Sequence, residues 1–94
     1  MTITFVLGKT TFRRNEEKNA ILKQQRGVSF EEIELCIRNG FLLDIIQHPQ
    51  LDHQYIFIVK QWTIIYKVPF VIESWDIYFL KTIYPHSASK RIYY

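Results

Sequence analysis

The sequence predicts an α+β fold in which two N-terminal helices pack on one face of an antiparallel sheet of about four strands. Two observations predict it. Helix signals with capping residues end by residue 40, and segments rich in β-branched and aromatic residues follow one another after that point. Three Gly and three Pro in 94 residues indicate short connections. With 48% apolar residues, the chain is expected to form one domain over 1–94.

The first two predicted elements are a strand and a helix. Residues 2–7 are mostly β-branched and apolar, which is typical of a strand. A helix is predicted over 14–26. Asn15 can cap its N-terminus, two glutamates follow in the first turn, and Gly27 provides a stop.

The second helix carries the strongest local signal in the chain. Ser29 is the predicted N-cap, and Glu32 three residues later matches a capping box. Apolar residues then recur at helical spacing, and Asn39-Gly40 ends the helix.

The remainder of the chain is predicted to form the sheet. Four segments have strand composition: 41–46, 54–60, 62–72 and 77–84. Residues 73–76 are a turn between the last two. Pro69 lies inside the third segment and predicts an edge, a bulge or a bend, since proline cannot donate to a strand ladder.

Charge and cysteine content limit the setting in which the protein works. The net charge is +3, and basic residues concentrate in 1–26 and in the last five residues. This distribution permits phosphate contacts with nucleic acid, although a solvated helix face has the same composition.

The single cysteine, Cys36, cannot form an internal disulfide. No export signal or long apolar run is apparent, so we expect a cytoplasmic protein without a membrane partner.

The sequence offers no familiar cofactor or metal motif. There is no glycine-rich phosphate loop and no CxxC pair, so no cofactor is expected. His48 and His53 lie five residues apart in a predicted loop, with Asp52 between them, but two further metal ligands are not evident, so no metal site is predicted.

Basic and aromatic residues near the end of the chain could act on RNA. Cleavage without metal needs a base for the 2′-hydroxyl, cations for the phosphate and an acid for the leaving oxygen. His86 suits proton transfer because an ordinary histidine titrates near neutral pH. The alternative is that Lys81 is an exposed strand residue and Tyr84 a core ring. The full set is Arg26, Lys67, Lys81, Tyr84, His86, Lys90 and Arg91.

Two segments resemble BrnT-type ribonuclease toxins of bacterial toxin–antitoxin pairs. Asn15-Glu-Glu-Lys-Asn19 is followed, after seven residues, by Gly27-Val-Ser-Phe-Glu-Glu32. The family has a D-x-x-K-x stretch leading at the same spacing into K-H-G-V-S-F-E-E. The ending Phe79-Leu-Lys-Thr-Ile-Tyr-Pro85 also looks like that of relatives, so the resemblance covers roughly 12–86.

The resemblance implies a RelE-like fold and metal-independent endoribonuclease activity that inhibits translation, with ribosome-associated mRNA as one RNA target. It also implies a cognate antitoxin, usually a DNA-binding protein. Arg26 stands where the family often has histidine. Against the R-I-I-S-A-R ending of many members, Lys81 aligns with the first arginine, Tyr84 with the serine and His86 with the last arginine.

These observations combine into one hypothesis about the site. Lys81 and Arg26 would hold the phosphate, His86 would transfer protons, and Tyr84 would stack on or position a base. Further RNA-binding contacts are assigned to four basic residues: Lys18, Lys67, Lys90 and Arg91. Two alternatives stay open. The chain could be a non-catalytic module that binds protein or RNA, or a structural subunit whose aromatic surface is an oligomer interface.

Overall fold

The computed structural model describes residues 9–85, which form two helices and six strands. The strand predicted over 2–7 lies outside the described residues. In chain order the elements are β1 (Thr11–Arg14), α1 (Glu16–Arg26), α2 (Phe30–Arg38), β2 (Leu42–Gln47), β3 (Gln54–Gln61), β4 (Ile64–Ser74), β5 (Ile77–Leu80) and β6 (Tyr84–Pro85).

The sheet is mixed, which contradicts the predicted fold class. Its order is β1-β5-β4-β3-β2, with β6 also paired to β4. β1 runs parallel to β5, from Thr11 opposite Ile77 to Arg14 opposite Leu80, while the other pairs are antiparallel. The prediction of two N-terminal helices on an antiparallel, RelE-like sheet of about four strands is therefore wrong. The sequence missed β1 because four residues with two arginines carry little strand signal, and β1 is placed by pairing with a strand far along the chain.

Both helices are capped by the residues that the sequence indicated. Asn15 Oδ1 accepts a hydrogen bond from the Lys18 amide at 2.9 Å, and Gly27 ends α1 with a left-handed φ of 65°. The helix begins at 16, not at 14, because Arg14 belongs to β1. Neither helix within residues 9–85 is long and apolar enough to cross a membrane.

The start of α2 is tied to the end of β3. Ser29 Oγ accepts a hydrogen bond from the Glu32 amide at 3.2 Å, as an N-cap does. The Glu32 carboxylate accepts hydrogen bonds from the Ser29 hydroxyl at 3.1 Å and from Gln61 Nε2 at 2.6 Å. Glu32, which indicates the start of α2 in the sequence, therefore also holds α2 against the end of β3.

The main core lies between the helices and one face of the sheet. At its centre the rings of Phe57 and Phe70 stack with centroids 3.8 Å apart. Around them are apolar side chains from both helices, from β3, β4 and β5, and from the loops next to these elements: Leu22, Val28, Phe30, Ile33, Ile37, Val59, Tyr66, Val68, Tyr78, Leu80 and Ile83. A smaller cluster of Ile56, Ile58 and Ile65 occupies the opposite face.

The segment predicted as one strand over 77–84 is interrupted. Leu80 pairs with Phe70 and Tyr84 pairs with Lys67, so three residues of this segment face two residues of β4. The additional residue shifts the side-chain alternation by one position, as a bulge does. Ile83 is therefore fully buried, although strict alternation from Leu80 would have turned residue 82 inward.

Pro69 lies at this interruption, within a central strand. Its carbonyl accepts a hydrogen bond from the Lys81 amide at 2.8 Å, and its partner on β3 is Ile56. The backbone nitrogen and carbonyl of one strand residue point to the same side of the strand, so the Pro69 nitrogen also faces the gap between β5 and β6. Its missing N–H therefore removes no hydrogen bond between β4 and β3. Of the edge, bulge or bend predicted at Pro69, the structure has an irregularity like a bulge in the segment opposite, where β4 changes its neighbour from β5 to β6.

The turn before β4 is longer than predicted, with two residues instead of one, and the turn after β4 is shorter, with two residues instead of four. β4 begins at Ile64 because residues 62–63 form the turn from β3, and it extends to Ser74 before the turn into β5.

Candidate nucleic-acid interface

The pairing of β4 with β6 places a lysine directly beside an aromatic ring. Lys67 and Tyr84 are register partners, and Lys67 Nζ lies 4.9 Å from the centre of the Tyr84 ring. Partners in adjacent strands share a face of the sheet, and neighbours along a strand alternate between faces. Val68, the residue after Lys67, is fully buried in the helix-side core, so Lys67 and Tyr84 lie on the opposite face.

A second lysine and ring lie on the same face. Phe79 pairs with Val71, which has the same side-chain direction along β4 as Lys67. Lys81 Nζ lies 5.8 Å from the centre of the Phe79 ring. Lys67, Phe79, Lys81 and Tyr84 together form what we call the lysine–aromatic site.

Arg26 reaches the same segment from the last turn of α1. Its guanidinium donates a hydrogen bond to the carbonyl of Ile83, the residue before Tyr84. A guanidinium carries five N–H donors, so this bond orients the group and leaves further donors for an anion. The sequence does not show whether Arg26 lies near the C-terminal strand, and the fold brings the two together.

Other predicted site residues are not gathered here. Lys18 lies near the start of α1, eight residues before Arg26, which corresponds to about 12 Å along the helix axis. His86, Lys90 and Arg91 lie outside the described residues, so their roles stay predictions.

Sequence reasoning missed Phe79 as a member of the site. The signal was present, because Phe79 and Lys81 are two apart in a predicted strand and side chains at that spacing share a face.

The lysine–aromatic site combines two kinds of contact that single-stranded nucleic acid uses. An ammonium over a ring face makes a cation–π contact, and its remaining N–H groups can reach a phosphate oxygen. Aromatic rings provide surfaces on which bases stack without regard to sequence. Tyr84 also adds a phenol, which can donate to or accept from RNA.

The histidines and the cysteine have other surroundings. His48 Nδ1 accepts hydrogen bonds from the amides of Gln50 at 3.1 Å and Leu51 at 3.2 Å, so it shapes the turn after β2. Within residues 9–85, no three His, Cys, Asp or Glu side chains come together as a metal site would require. Burial, followed by the charge of Glu32, raises the pKa of the Cys36 thiol, which opposes formation of a nucleophilic thiolate.

Comparison of the chain with protein-family models, with curated proteins and with solved structures gives no match. Functional assignment therefore depends on the residues of this chain and on their arrangement.

Proposed function

We propose that this protein is the toxin of a BrnT-type toxin–antitoxin pair. In this proposal it is a metal-independent endoribonuclease that acts in the cytoplasm, inhibits translation and is neutralised by a cognate antitoxin protein. The proposal retains the activity that the motif resemblance implies and not the RelE-like fold, because the sheet is mixed.

One observation carries the proposal more than any other: two lysines and two aromatic rings share the sheet face that points away from the helices, and Arg26 of α1 binds the backbone carbonyl of Ile83 in the same segment. Lys67 lies 4.9 Å from the Tyr84 ring and Lys81 lies 5.8 Å from the Phe79 ring. A core strand has no need of this combination, whereas RNA offers both phosphates and base faces.

Each residue has a proposed role. Lys81 and Arg26 bind the phosphate at which the RNA is cut. Their positive charge stabilises the negative charge that builds up on that phosphate in the transition state. Tyr84 stacks on a base beside that phosphate, and Lys67 binds the adjoining backbone. His86 follows Pro85 directly in the sequence and is proposed to transfer protons between the 2′-hydroxyl and the leaving oxygen.

The test is induced expression in a bacterial host, with growth and total RNA integrity followed together. We expect growth arrest with RNA fragmentation from the natural chain and neither from Lys81→Ala/His86→Ala. Lys9→Ala is the matched control, since it removes an exposed positive charge outside the site and should stay toxic. Circular dichroism of the purified variants must match that of the natural chain. A double mutant that is folded and fully toxic would show the site to be wrong.

RNA binding without cleavage is the second candidate function. Lys81 and Tyr84 stand where many members of the family have arginine and serine. Lysine cannot form the bidentate hydrogen bonds by which the arginine guanidinium binds a phosphate. This candidate predicts that RNA copurifies with the natural chain and stays intact, and that Tyr84→Ala reduces the amount bound.

A further inference from the structure

The sheet face that carries the lysine–aromatic site continues onto β1. Arg13 of β1 is the register partner of Phe79, and partners in adjacent strands share a face of the sheet. The residue before Arg13, Phe12, packs on the helix-side core, with its ring 6.0 Å from the ring of Phe57. Because neighbours along a strand alternate between faces, Arg13 lies on the face that points away from the helices.

Three cations on this face form a diagonal line across neighbouring strands. Arg13 lies beside Phe79, and Lys81 follows Phe79 by two residues. The Lys81 amide donates a hydrogen bond to the Pro69 carbonyl, and Lys67 precedes Pro69 by two residues. Each step from one cation to the next therefore crosses one strand and advances two residues, which separates the Cα positions by about 8 Å.

The residues beside Lys67 show in which direction the positive charge extends. Ile58 on β3 is the register partner of Lys67, and Asp44 on β2 is the partner of Ile58. Towards β2 the face therefore presents an apolar and an acidic residue, whereas towards β1 it presents Lys81 and Arg13. This distribution attracts a polyanion along the diagonal and disfavours one across β2.

We infer that single-stranded RNA binds along this diagonal, and that Arg13 is a further RNA-binding residue at which a phosphate replaces Glu73. The inference rests on the proposed RNA function and adds one cation to the lysine–aromatic site. Evenly spaced cations suit the phosphates of an extended strand, which also recur at even intervals. A ring lies at each end of the diagonal, with Phe79 beside Arg13 and Tyr84 beside Lys67. Only unpaired bases can stack on such rings.

Arg13 is held in an ion pair that a phosphate can displace. Its Nη1 donates to Glu73 Oε1 at 3.0 Å, with 59% of the Arg13 side chain and 37% of the Glu73 side chain exposed. An ion pair between exposed side chains contributes little to stability. A phosphate accepts bidentate hydrogen bonds from a guanidinium, so it is the stronger partner. Glu73 therefore competes with RNA for Arg13.

Fluorescence anisotropy of the full chain with a labelled oligouridylate of about eight nucleotides tests the inference. Arg13→Ala should reduce the slope of log K against log salt by about 0.7, and Arg13→Lys should retain the slope because it keeps the charge. Glu73→Gln should raise the affinity by about two- to five-fold, since it removes the competing carboxylate. Circular dichroism of each variant must match that of the natural chain.

Lys23→Ala is the matched control for Arg13→Ala. Lys23 of α1 forms an ion pair with Glu31 at 3.0 Å, and its side chain is 53% exposed, so the control removes the same charge and a similar pair from the helix side of the sheet. It should leave the slope unchanged.

Three results would each overturn the inference: an unchanged slope in Arg13→Ala, equal reductions in Arg13→Ala and Lys23→Ala, or no gain in affinity from Glu73→Gln. If the natural chain binds no RNA, the proposed function fails together with this inference. If Lys67→Ala reduces the slope and Arg13→Ala does not, this inference alone fails.

Discussion

Replacing Asn19 by alanine should destabilise the fold more than its helical position suggests. Asn19 is 1% exposed near the start of α1, and its Oδ1 accepts a hydrogen bond from the Phe30 amide at 2.8 Å. Its Nδ2 donates to the Glu31 carboxylate. One buried amide thus binds the first turn of α2, where backbone N–H groups have no partner within the helix.

The magnitude follows from what alanine leaves behind. Phe30 is also 1% exposed, so its amide loses its acceptor where water has little access, at a cost of about 1–3 kcal/mol. Loss of the hydrogen bond to the partly exposed Glu31 lowers the free energy of unfolding by about 1 kcal/mol more. The higher helix propensity of alanine offsets about 0.5 kcal/mol of this loss. We expect a loss of about 1.5–3.5 kcal/mol, which corresponds to a Tm lower by roughly 6–28 °C for a domain of this size.

Urea unfolding monitored by circular dichroism measures this loss. Gln24→Ala is the matched control, since it removes an exposed side-chain amide from the same helix and should change the free energy of unfolding by less than about 0.5 kcal/mol. If Asn19→Ala also stays within about 0.5 kcal/mol of the natural chain, the proposed role of this buried amide in joining the helices is wrong.

Three further predictions concern acid stability and RNA binding. The hydrogen bond from Asn19, followed by the bond from Lys23, lowers the pKa of Glu31 from 4.5 to about 2. Because the folded-state pKa lies below the unfolded value, the stabilisation is present above about pH 4.5 and is lost as the pH falls towards 2. Glu31→Gln should therefore lose less unfolding free energy than the natural chain over that interval, and equal losses would contradict the assignment. In fluorescence anisotropy with single-stranded RNA, Lys67→Ala should reduce the slope of log K against log salt by about 0.7, and Lys9→Ala should leave it unchanged. Tyr84→Leu should weaken binding by about 1–3 kcal/mol without changing the slope, since it removes a stacking ring and no charge. Equal slopes for Lys67→Ala and the natural chain would remove Lys67 from the interface.

The helices were predictable because the signals that define them are local. Asn15 and Ser29 cap helices through hydrogen bonds to amides three residues away, and Gly27 ends one through its own backbone conformation. Such contacts depend on neighbours in the sequence, so a sequence pattern is enough to find them.

The sheet was less predictable because its pairing is not local. β1 is specified by a parallel partner more than sixty residues later, and nothing in Thr11–Arg14 alone indicates it. The split of 77–84 into two strands follows from one additional residue opposite β4, which composition does not show. Both features depend on the register between distant strands.

The candidate site was partly predictable. The chemistry of their side chains predicts Lys67, Lys81 and Tyr84 as site residues, and the strand register brings all three to one face. Only its charge predicts Lys18, which lies near the start of α1, away from Arg26. Charge predicts that a residue can bind phosphate, whereas only the pairing of strands determines which charges act together.

The chemistry of the RNA ends tests the central claim most directly. Cleavage in which the 2′-hydroxyl attacks the phosphate leaves a 2′,3′-cyclic phosphate on one fragment and a 5′-hydroxyl on the other. RNA from cells expressing the natural chain should accumulate these ends, and RNA from cells expressing Lys81→Ala/His86→Ala should not. Intact RNA in arrested cells, or fragments that carry 5′-phosphates and 3′-hydroxyls, would contradict the proposed ribonuclease.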